Sequence, residues 1–175
     1  KYSKSHLKYD LIFHELNSKK SELIFEDEKV EVRTIPLHHR VYTNGFLFKE
    51  KDKPRKLNIT AIKKIQEIET CDYNNLKAGK DFTLNSNEII QNSLLTLDPE
   101  ASLSYAFCSD TSYKPDIIDI IQDTNLLYHE ATFLSDKEDL AKKTRHSTAK
   151  QAALIAKNAS VKKLIIGHYS SRYKD

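Results

Sequence analysis

From residue 104 to residue 168 the sequence alternates short apolar runs with amphipathic stretches, and no other feature restricts the possible folds as strongly. The runs "SYAFCSD", "NLLYH" and "VKKLIIGH" predict buried strands. Between them, "PDIIDIIQD" and "TAKQAALIAKNA" predict helices. Because alternating strands and helices favour βαβ units, we predict an α/β fold with a largely parallel sheet in this half of the chain.

The region before residue 50 is predicted to be rich in β-strands. Polar turns such as "EDEK" separate short runs with β-branched or aromatic residues, namely "LIFHEL", "ELIF", "VEVRTI" and "GFLF". The charged stretch "KEKDKPRK" at 49–56 then predicts an exposed connection and a plausible boundary of an insertion. From residue 59, isoleucines at near-helical spacing predict a short amphipathic helix.

The composition favours one globular domain in a reducing compartment. Hydrophobic residues make up 39% and charged residues 30% of the 175 residues, as in soluble domains of ordinary size. Cys71 and Cys108 are the only cysteines, too few for a disulfide framework or a CxxC metal site. The net charge of +3 permits an anionic partner without requiring one.

Several features of the sequence argue against other classes of protein. Three scattered glycines and the lack of a Walker or GxGxxG pattern make a nucleotide cofactor unexpected. No apolar run is long enough for a membrane helix and no signal-peptide pattern opens the chain, so we expect no membrane partner and a cytoplasmic location. The sequence contains no Met, and we therefore expect additional sequence upstream of Lys1.

Histidine and acidic residues follow the predicted strands at the point where each strand ends. Those within two residues of such an end are Asp110, His129, Glu130 and His168, and His39 follows an earlier strand in the same way. Reactive groups of open α/β sheets gather at the carboxyl ends of strands. Since zinc binds imidazole and carboxylate, His39, Asp110 and His168 form a sensible ligand set. Spacing alone leaves open the alternative that each histidine is a hydrogen-bonded polar residue at a strand end.

His146 is placed directly before a predicted helix. Thr148 and Gln151 fit the capping box S/T-x-x-E/Q, and the free N–H groups of a helix start favour an anion such as phosphate. A histidine beside a phosphate could pass a proton to a leaving oxygen. Glu130 could orient that imidazole by accepting its other N–H. The alternative is an N-capping loop that contains a histidine by chance.

Five segments in order along the chain resemble the motifs of a known family. They are "LHHRVYTNGF", "FCSDT", "LLYHEATF", "RHSTAKQAA" and "LIIGHYSSRY". Together they resemble ribonuclease Z, the tRNA 3′-processing endonuclease of the metallo-β-lactamase superfamily. The resemblance implies a metallo-β-lactamase-like αββα sandwich, incomplete in this sequence, with two zinc ions at the edge between two β-sheets.

The resemblance implies three metal ligands. His39 and His168 match histidine ligands of the family, and Asp110 matches the carboxylate that bridges both metals. The family's signature H-x-H-x-D-H, which supplies most other ligands, does not occur in these residues. A family segment rich in Pro and Lys is also poorly matched, by "LDPEASLSY". We therefore expect residues 1–175 to be a partial domain, from the middle to the C-terminal portion of such an enzyme.

The resemblance also implies catalytic and substrate-binding residues. His146 matches the histidine that acts on the scissile phosphate or leaving group, and Glu130 of the "HEAT" motif matches its partner. Ser170 and Arg172 fall in the family's terminal "S-x-R-Y" segment, where the arginine helps to hold the RNA backbone. The implied reaction is hydrolysis of a precursor tRNA just after the discriminator nucleotide, by a homodimer that uses metal-activated water.

An insertion that clamps the tRNA away from the active site is a further implication of the resemblance. In this chain it corresponds to residues 50–97, whose Lys and Arg residues would contact phosphates without reading sequence. Two other functions remain open: a related metallo-hydrolase acting on a small phosphodiester or ester, and a non-catalytic RNA-binding relative. A small substrate has no use for a basic arm, whereas a non-catalytic relative would explain the missing metal motif.

Overall fold

The computed structural model describes residues 9–173. The strands in chain order are β1 (Leu23–Glu26), β2 (Val30–Pro36), β3 (Asn44–Glu50), β4 (Lys56–Leu57), β5 (Phe82–Thr83), β6 (Ile89–Ile90), β7 (Thr96–Leu97), β8 (Ser104–Cys108), β9 (Leu126–Glu130) and β10 (Lys163–Gly167). The helices are α1 (Ile59–Ile62), α2 (Tyr73–Lys77), α3 (Asn92–Leu95), α4 (Glu138–Thr144) and α5 (Ala149–Asn158), with short 3₁₀ turns at Thr70–Asp72, Pro115–Ile117 and Ser135–Lys137.

Six strands form the main sheet, in the order β1-β2-β3-β8-β9-β10. The first four pair antiparallel, whereas β8, β9 and β10 run parallel. Helix α5 lies in the crossover from β9 to β10, as a parallel pair requires. The predicted parallel sheet in the second half is confirmed. None of the helices in residues 9–173 is long and apolar enough to cross a membrane.

Three predicted elements are wrong or shorter than expected. "LIFHEL" forms no strand and exposes Leu11, Ile12 and Phe13. None of the strands in residues 9–173 pairs with its backbone, and a strand needs such a partner. "PDIIDIIQD" forms only a 3₁₀ turn and further tight turns. Directly after it, the amide and the hydroxyl of Thr124 both donate to the Ile121 carbonyl, and the Asn125 amide, which would continue a helix, donates to Ser104 Oγ instead. The helix from residue 59 is the single turn α1.

Helix α4 is absent from the sequence-based prediction. Its seven residues are mostly charged, and Ala141 is the one buried position that it contributes. Because a helix with one buried position has almost no periodic pattern of apolar residues, the sequence gives little indication of it.

One face of the main sheet is buried. Four neighbouring strands, β2, β3, β8 and β9, each contribute an apolar side chain to this covered face: Ile35, Leu47, Ala106 and Leu127. Side chains from the 115–121 turns and from α5 pack against them, with Ile117, Ile121 and Ile155 almost completely buried. The hydrophobic core therefore lies between the sheet and a layer of helical segments.

The opposite face of the sheet carries aromatic side chains. We call it the aromatic face, and its main members are Phe46, Phe48, Tyr105, Phe107, Tyr128 and Ile165. Phe107 stacks on Tyr128 at a ring-centre distance of 4.9 Å, yet Phe107 is 37% exposed and Ile165 is 47% exposed. Within residues 9–173 no second large sheet covers this face. One covered and one open face correspond to half of an αββα sandwich, the fold that the family resemblance implies.

Residues 51–103 leave the main sheet between the paired strands β3 and β8. They contain two small two-stranded sheets and a separate apolar cluster of Ile62, Ile68, Leu76 and Leu95. The two ends of this excursion meet again, because the Glu50 amide donates to the Leu103 carbonyl at 2.9 Å. The excursion thus has its own small core and a narrow connection to the sheet.

Candidate metal and catalytic site

Four titratable side chains meet at one edge of the main sheet. One ligand atom from each of Asp110, Glu130, His146 and His168 lies within 4.8 Å of the others. Asp110, Glu130 and His168 come from the carboxyl ends of the parallel strands β8, β9 and β10, and His146 comes from the loop before α5. The sheet brings together residues that are up to 58 positions apart in sequence, from Asp110 to His168.

The backbone at this edge takes up unusual conformations. Asp110, Arg145 and His168 have φ angles of 55°, 60° and 62°, in the left-handed region that non-glycine residues seldom occupy. Each such residue costs about 1–2 kcal/mol, and residues of this kind cluster at functional sites. Two of these residues, Asp110 and His168, follow β8 and β10 within two positions.

Glu130 is the fully buried centre of the cluster. Its Oε1 accepts from the Thr111 amide at 2.8 Å and lies 2.7 Å from His146 Nδ1. Its Oε2 accepts from the Thr132 hydroxyl at 2.6 Å and from the amides of Ser147 at 3.1 Å and Thr132 at 3.2 Å. With both oxygens occupied by several donors, Glu130 serves to hold its neighbours and is a poor candidate for a metal ligand.

These contacts determine the ionisation of Glu130. Burial alone would raise the pKa of its carboxyl, but hydrogen bonds from the Thr132 hydroxyl, the Ser147 amide, His146 and the Thr111 amide outweigh it and lower the pKa. The carboxylate is therefore charged at neutral pH although water does not reach it.

We expect Glu130→Gln to lower the free energy of unfolding at neutral pH by at least about 1–3 kcal/mol, because the new NH₂ group would face a donor. The folded-state pKa of Glu130 lies below its ordinary value of 4.5. Its contribution is therefore complete above pH 4.5 and is lost as the pH falls through the folded-state pKa. Denaturant unfolding at several pH values measures this: the gap between wild type and variant should narrow below pH 4.5. A constant gap would contradict an ionised Glu130.

His146 is the mostly buried histidine that Glu130 orients. Its side chain is 12% exposed, and its ring stacks on that of His168 with centres 5.3 Å apart. With Nδ1 engaged by Glu130, Nε2 is the ring nitrogen left for other work. The predicted capping box is confirmed, because Thr148 and Gln151 bond each other's backbone at the start of α5.

Asp110 and His168 have the spacing of two ligands of one metal ion. Asp110 Oδ1 lies 3.3 Å from His168 Nε2. Two ligands of tetrahedral zinc, each about 2.0–2.1 Å from the ion, stand about 3.3 Å apart. The two side chains are partly exposed, at 46% and 42%, so that an ion or water can reach them. Imidazole and carboxylate are also the chemistry that zinc prefers, and these residues fit the metal that the sequence predicts.

His39 lies beside this cluster, outside the group of four. Its Nδ1 is 3.0 Å from the Arg145 carbonyl, and Arg145 Nη1 donates to the His39 carbonyl at 2.8 Å. The ring centres of His39 and His146 are 4.9 Å apart. Its role as a metal ligand stays a prediction. The reciprocal pair with Arg145 fixes the loop after β2 against the loop that carries His146.

The "SSRY" segment folds back onto the loop after β9. The Ser170 amide donates to the Thr132 carbonyl at 3.0 Å, and Ser170 Oγ accepts from the Arg172 amide at 3.3 Å. The Tyr173 hydroxyl accepts from the Leu134 amide at 2.8 Å. Ser170 therefore shapes a turn that presents Arg172 at the surface, and contact of either residue with RNA stays a prediction.

His129 does not join the cluster, although it follows the same strand. It is adjacent to Glu130 in sequence, and successive strand residues face opposite sides of a sheet, so His129 lies on the covered face. Its Nδ1 bonds the Glu130 carbonyl at 2.7 Å, and burial lowers its pKa. His129 is a buried histidine that stays neutral.

Sequence reasoning missed Thr111, Thr132 and Ser147. All three donate a backbone amide to Glu130, and Thr132 also donates its hydroxyl. Almost any residue has a backbone amide, and any Ser or Thr has a hydroxyl, so these contacts leave no specific sequence pattern. The only sequence signal for them is their nearness to the residues already selected.

Similar proteins share this part of the molecule. Ribonuclease Z of Bacteroides thetaiotaomicron is 44% identical over 169 residues, which cover 97% of this chain and 53% of that protein. Ribonuclease Z of Cytophaga hutchinsonii is 44% identical over 176 residues, with 100% and 56% covered. The chain thus spans about half the length of the curated relatives it matches. No family model matches it.

Solved structures agree on the fold. The short form of human tRNase Z superposes with a TM-score of 0.51 at 22% identity, covering 88% of this chain and 41% of that one. The metallo-β-lactamase fold protein YhfI of Bacillus subtilis gives 0.52 at 12% identity, covering 91% and 43%. The predicted fold class and the resemblance are confirmed: the chain has the metallo-β-lactamase fold and is a homologue, over nearly its whole length, of about half of ribonuclease Z.

Proposed function

We propose that the protein containing this chain is a zinc-dependent endoribonuclease that removes the 3′ trailer from tRNA precursors by phosphodiester hydrolysis. The observation that carries the proposal is the pairing of a buried, ionised Glu130 with His146, next to the Asp110–His168 pair. An acid-oriented histidine beside a carboxylate and imidazole ligand pair suits hydrolysis of a phosphodiester. The homology to proteins named Ribonuclease Z supports precursor tRNA as the substrate.

Zinc would be held by Asp110 and His168, with His39 as a third ligand from this chain. When bound, two zinc ions would lower the pKa of a water and neutralise charge that develops on the phosphate. A complete two-zinc site needs more ligands than these three residues supply, since each ion takes about four.

His146 would protonate the leaving oxygen. Glu130 accepts from Nδ1, so Nε2 is the nitrogen that exchanges a proton with the substrate. The contact with Glu130 fixes the ring plane and the hydrogen on Nδ1. The loop before α5 places this histidine at the start of a ten-residue helix, and the positive end of the helix dipole favours a phosphate there.

Substrate contacts outside the chemistry are assigned to two regions. Arg172, presented by the Ser170 turn, would bind the RNA backbone beside the site. Residues 50–97 would act as the tRNA-clamping arm, although they contain eight Lys and Arg against seven Asp and Glu. Several of these cations are already paired, such as Arg55 with Asp98 at 2.6 Å and Lys56 with Glu100 at 2.7 Å. The exposed Lys63, Lys64 and Lys77, which form no ion pair within the described residues, are the better phosphate contacts.

The proposal also includes a cytoplasmic location, a homodimer and independence of nucleotide cofactors. The unpaired thiols of Cys71 and Cys108 are compatible with a reducing compartment. Light scattering of the full-length protein would determine its oligomeric state.

The proposed activity is tested with a precursor tRNA that carries a 3′ trailer and with a small chromogenic phosphodiester. We expect zinc-dependent cleavage of the precursor after the discriminator nucleotide. Hydrolysis of the small ester alone would identify a related metallo-hydrolase instead. Precursor binding without cleavage of either substrate would identify a non-catalytic RNA-binding relative.

The arm can be tested by excision, because its ends meet at β3 and β8. We expect replacement of residues 53–100 by a short Gly-Ser linker to weaken binding of precursor tRNA and to flatten the dependence of affinity on salt. Hydrolysis of the small phosphodiester should survive, since the arm has its own core. Filter binding over a salt series and the chromogenic assay measure the two effects.

A pair of matched variants locates the effect within the arm. Lys63→Gln with Lys64→Gln should reduce the salt dependence, whereas Lys56→Gln should have a smaller effect because Glu100 already neutralises Lys56. Equal damage to tRNA binding and to small-ester hydrolysis in the excised variant would mean that the insertion is part of the core fold.

A further inference from the structure

Thr132 lies between the buried carboxylate and the exposed histidine of the site. Its Oγ1 is 2.6 Å from Glu130 Oε2 and 2.8 Å from His168 Nδ1. The backbone holds it firmly, because its amide donates to Glu130 and its carbonyl accepts from the Ser170 amide. Thr132 is 7% exposed, so water does not compete for the hydroxyl. One hydroxyl therefore joins two functional side chains.

The number of hydrogen atoms fixes the direction of both bonds. The Thr132 hydroxyl has a single hydrogen, and an ionised carboxylate only accepts, so that hydrogen goes to Glu130 Oε2. The hydroxyl oxygen can then only accept from His168, which requires a hydrogen on Nδ1. In the neutral imidazole Nε2 consequently carries the lone pair, and Nε2 is the nitrogen 3.3 Å from Asp110.

We propose that Thr132 is a positioning residue that sets the tautomer of His168 and so aims an Nε2 lone pair at the metal beside Asp110. The inference deepens the proposed function and rests on it. Histidine ligands usually donate their second ring N–H to a carboxylate, a carbonyl or water. Here the Thr132 hydroxyl lies between the Glu130 carboxylate and the His168 ring. It donates to the carboxylate and accepts from the ring, so the carboxylate orients His168 through this hydroxyl.

One carboxylate then orients two imidazoles with different tasks. Oε1 of Glu130 holds His146 directly, and Oε2 holds His168 through Thr132. A single buried group, Glu130, thereby fixes the position of His146, the proposed proton donor, relative to His168, the proposed metal ligand. If Thr132 only satisfied the buried carboxylate, loss of its hydroxyl would reduce stability and leave the tautomer of His168 unchanged.

The test compares Thr132→Val, which keeps the shape and loses the hydroxyl, with Thr132→Ser, which keeps the hydroxyl. The control is Thr124→Val, which also removes a buried hydroxyl, bonded to the Ile121 carbonyl at 2.7 Å outside the cluster. In the full-length protein, chelator competition should show zinc bound about 10–100-fold more weakly by Thr132→Val. Thr132→Ser and Thr124→Val should bind zinc as wild type does.

Nitrogen-15 NMR of labelled histidine in the zinc-loaded protein gives the second readout. Wild type and Thr132→Ser should show His168 with its hydrogen on Nδ1 and zinc on Nε2. Zinc on Nδ1 in wild type would overturn the inference even if Thr132→Val fails to fold, and so would unchanged zinc affinity in a folded Thr132→Val. Wild type that binds zinc through Nε2 but does not cleave precursor tRNA would overturn the proposed function alone. Wild type that binds no zinc would overturn both.

Discussion

His146→Ala will slow cleavage of precursor tRNA by a factor of about 10² or more, the usual contribution of a positioned proton donor, while bound zinc stays near the wild-type level. His146 lies within the group of four side chains that could hold a metal, so its position alone would also allow it to be a zinc ligand. His146 Nδ1 bonds the buried carboxylate of Glu130 directly at 2.7 Å, whereas His168 reaches Glu130 only through the Thr132 hydroxyl and has its Nε2 beside Asp110. We therefore assign His146 to proton transfer.

Variants of the proposed ligands form the matched comparison. His168→Ala and His39→Ala should lower the zinc content measured by mass spectrometry after dialysis, and cleavage should fall with it. Added zinc should restore part of the activity of these two variants and none of that of His146→Ala. Loss of zinc from His146→Ala would reverse the assignment and make this histidine a ligand.

The sequence indicates which strand ends carry the candidate site, but it does not indicate the hydrogen bonds that connect the side chains there. Period-two alternation and apolar run length identify β8, β9 and β10, and polar residues at their ends must meet when the strands are parallel and adjacent. The same alternation separates His129 from Glu130, although spacing along the chain treats them as one unit. A residue-by-residue reading of strand faces would have excluded His129.

Other features depend on three-dimensional contacts that leave little trace in sequence. Thr132 bridges Glu130 and His168 although the two lie 38 positions apart, and His168 has a φ of 62° that the sequence does not signal. "LIFHEL" has the composition of a strand, but a strand also needs a neighbour for its backbone groups. Local propensity cannot supply that neighbour.

The purified 175-residue chain, studied without any further sequence, will associate and will be inactive on precursor tRNA even with added zinc. The aromatic face is open in the described residues, with Phe48 39% exposed, Phe107 37% and Ile165 47%. Contiguous apolar surface of this kind mediates protein contacts or aggregation. The ligands proposed within residues 9–173, namely Asp110, His168 and His39, are also too few to complete two zinc sites of about four ligands each.

Surface variants separate the aromatic face from other apolar positions. Sedimentation over a concentration series should show association that Phe48→Lys with Phe107→Lys reduces, because the charges would be placed on the open face. Ile89→Lys is the matched control: Ile89 is 63% exposed and lies in β6, in a separate two-stranded sheet. It should leave association unchanged. Cleavage by the 175-residue chain at the rate of the full-length protein would show that these residues hold a complete metal site. A monomer at all concentrations would show that the exposed aromatic face does not cause association.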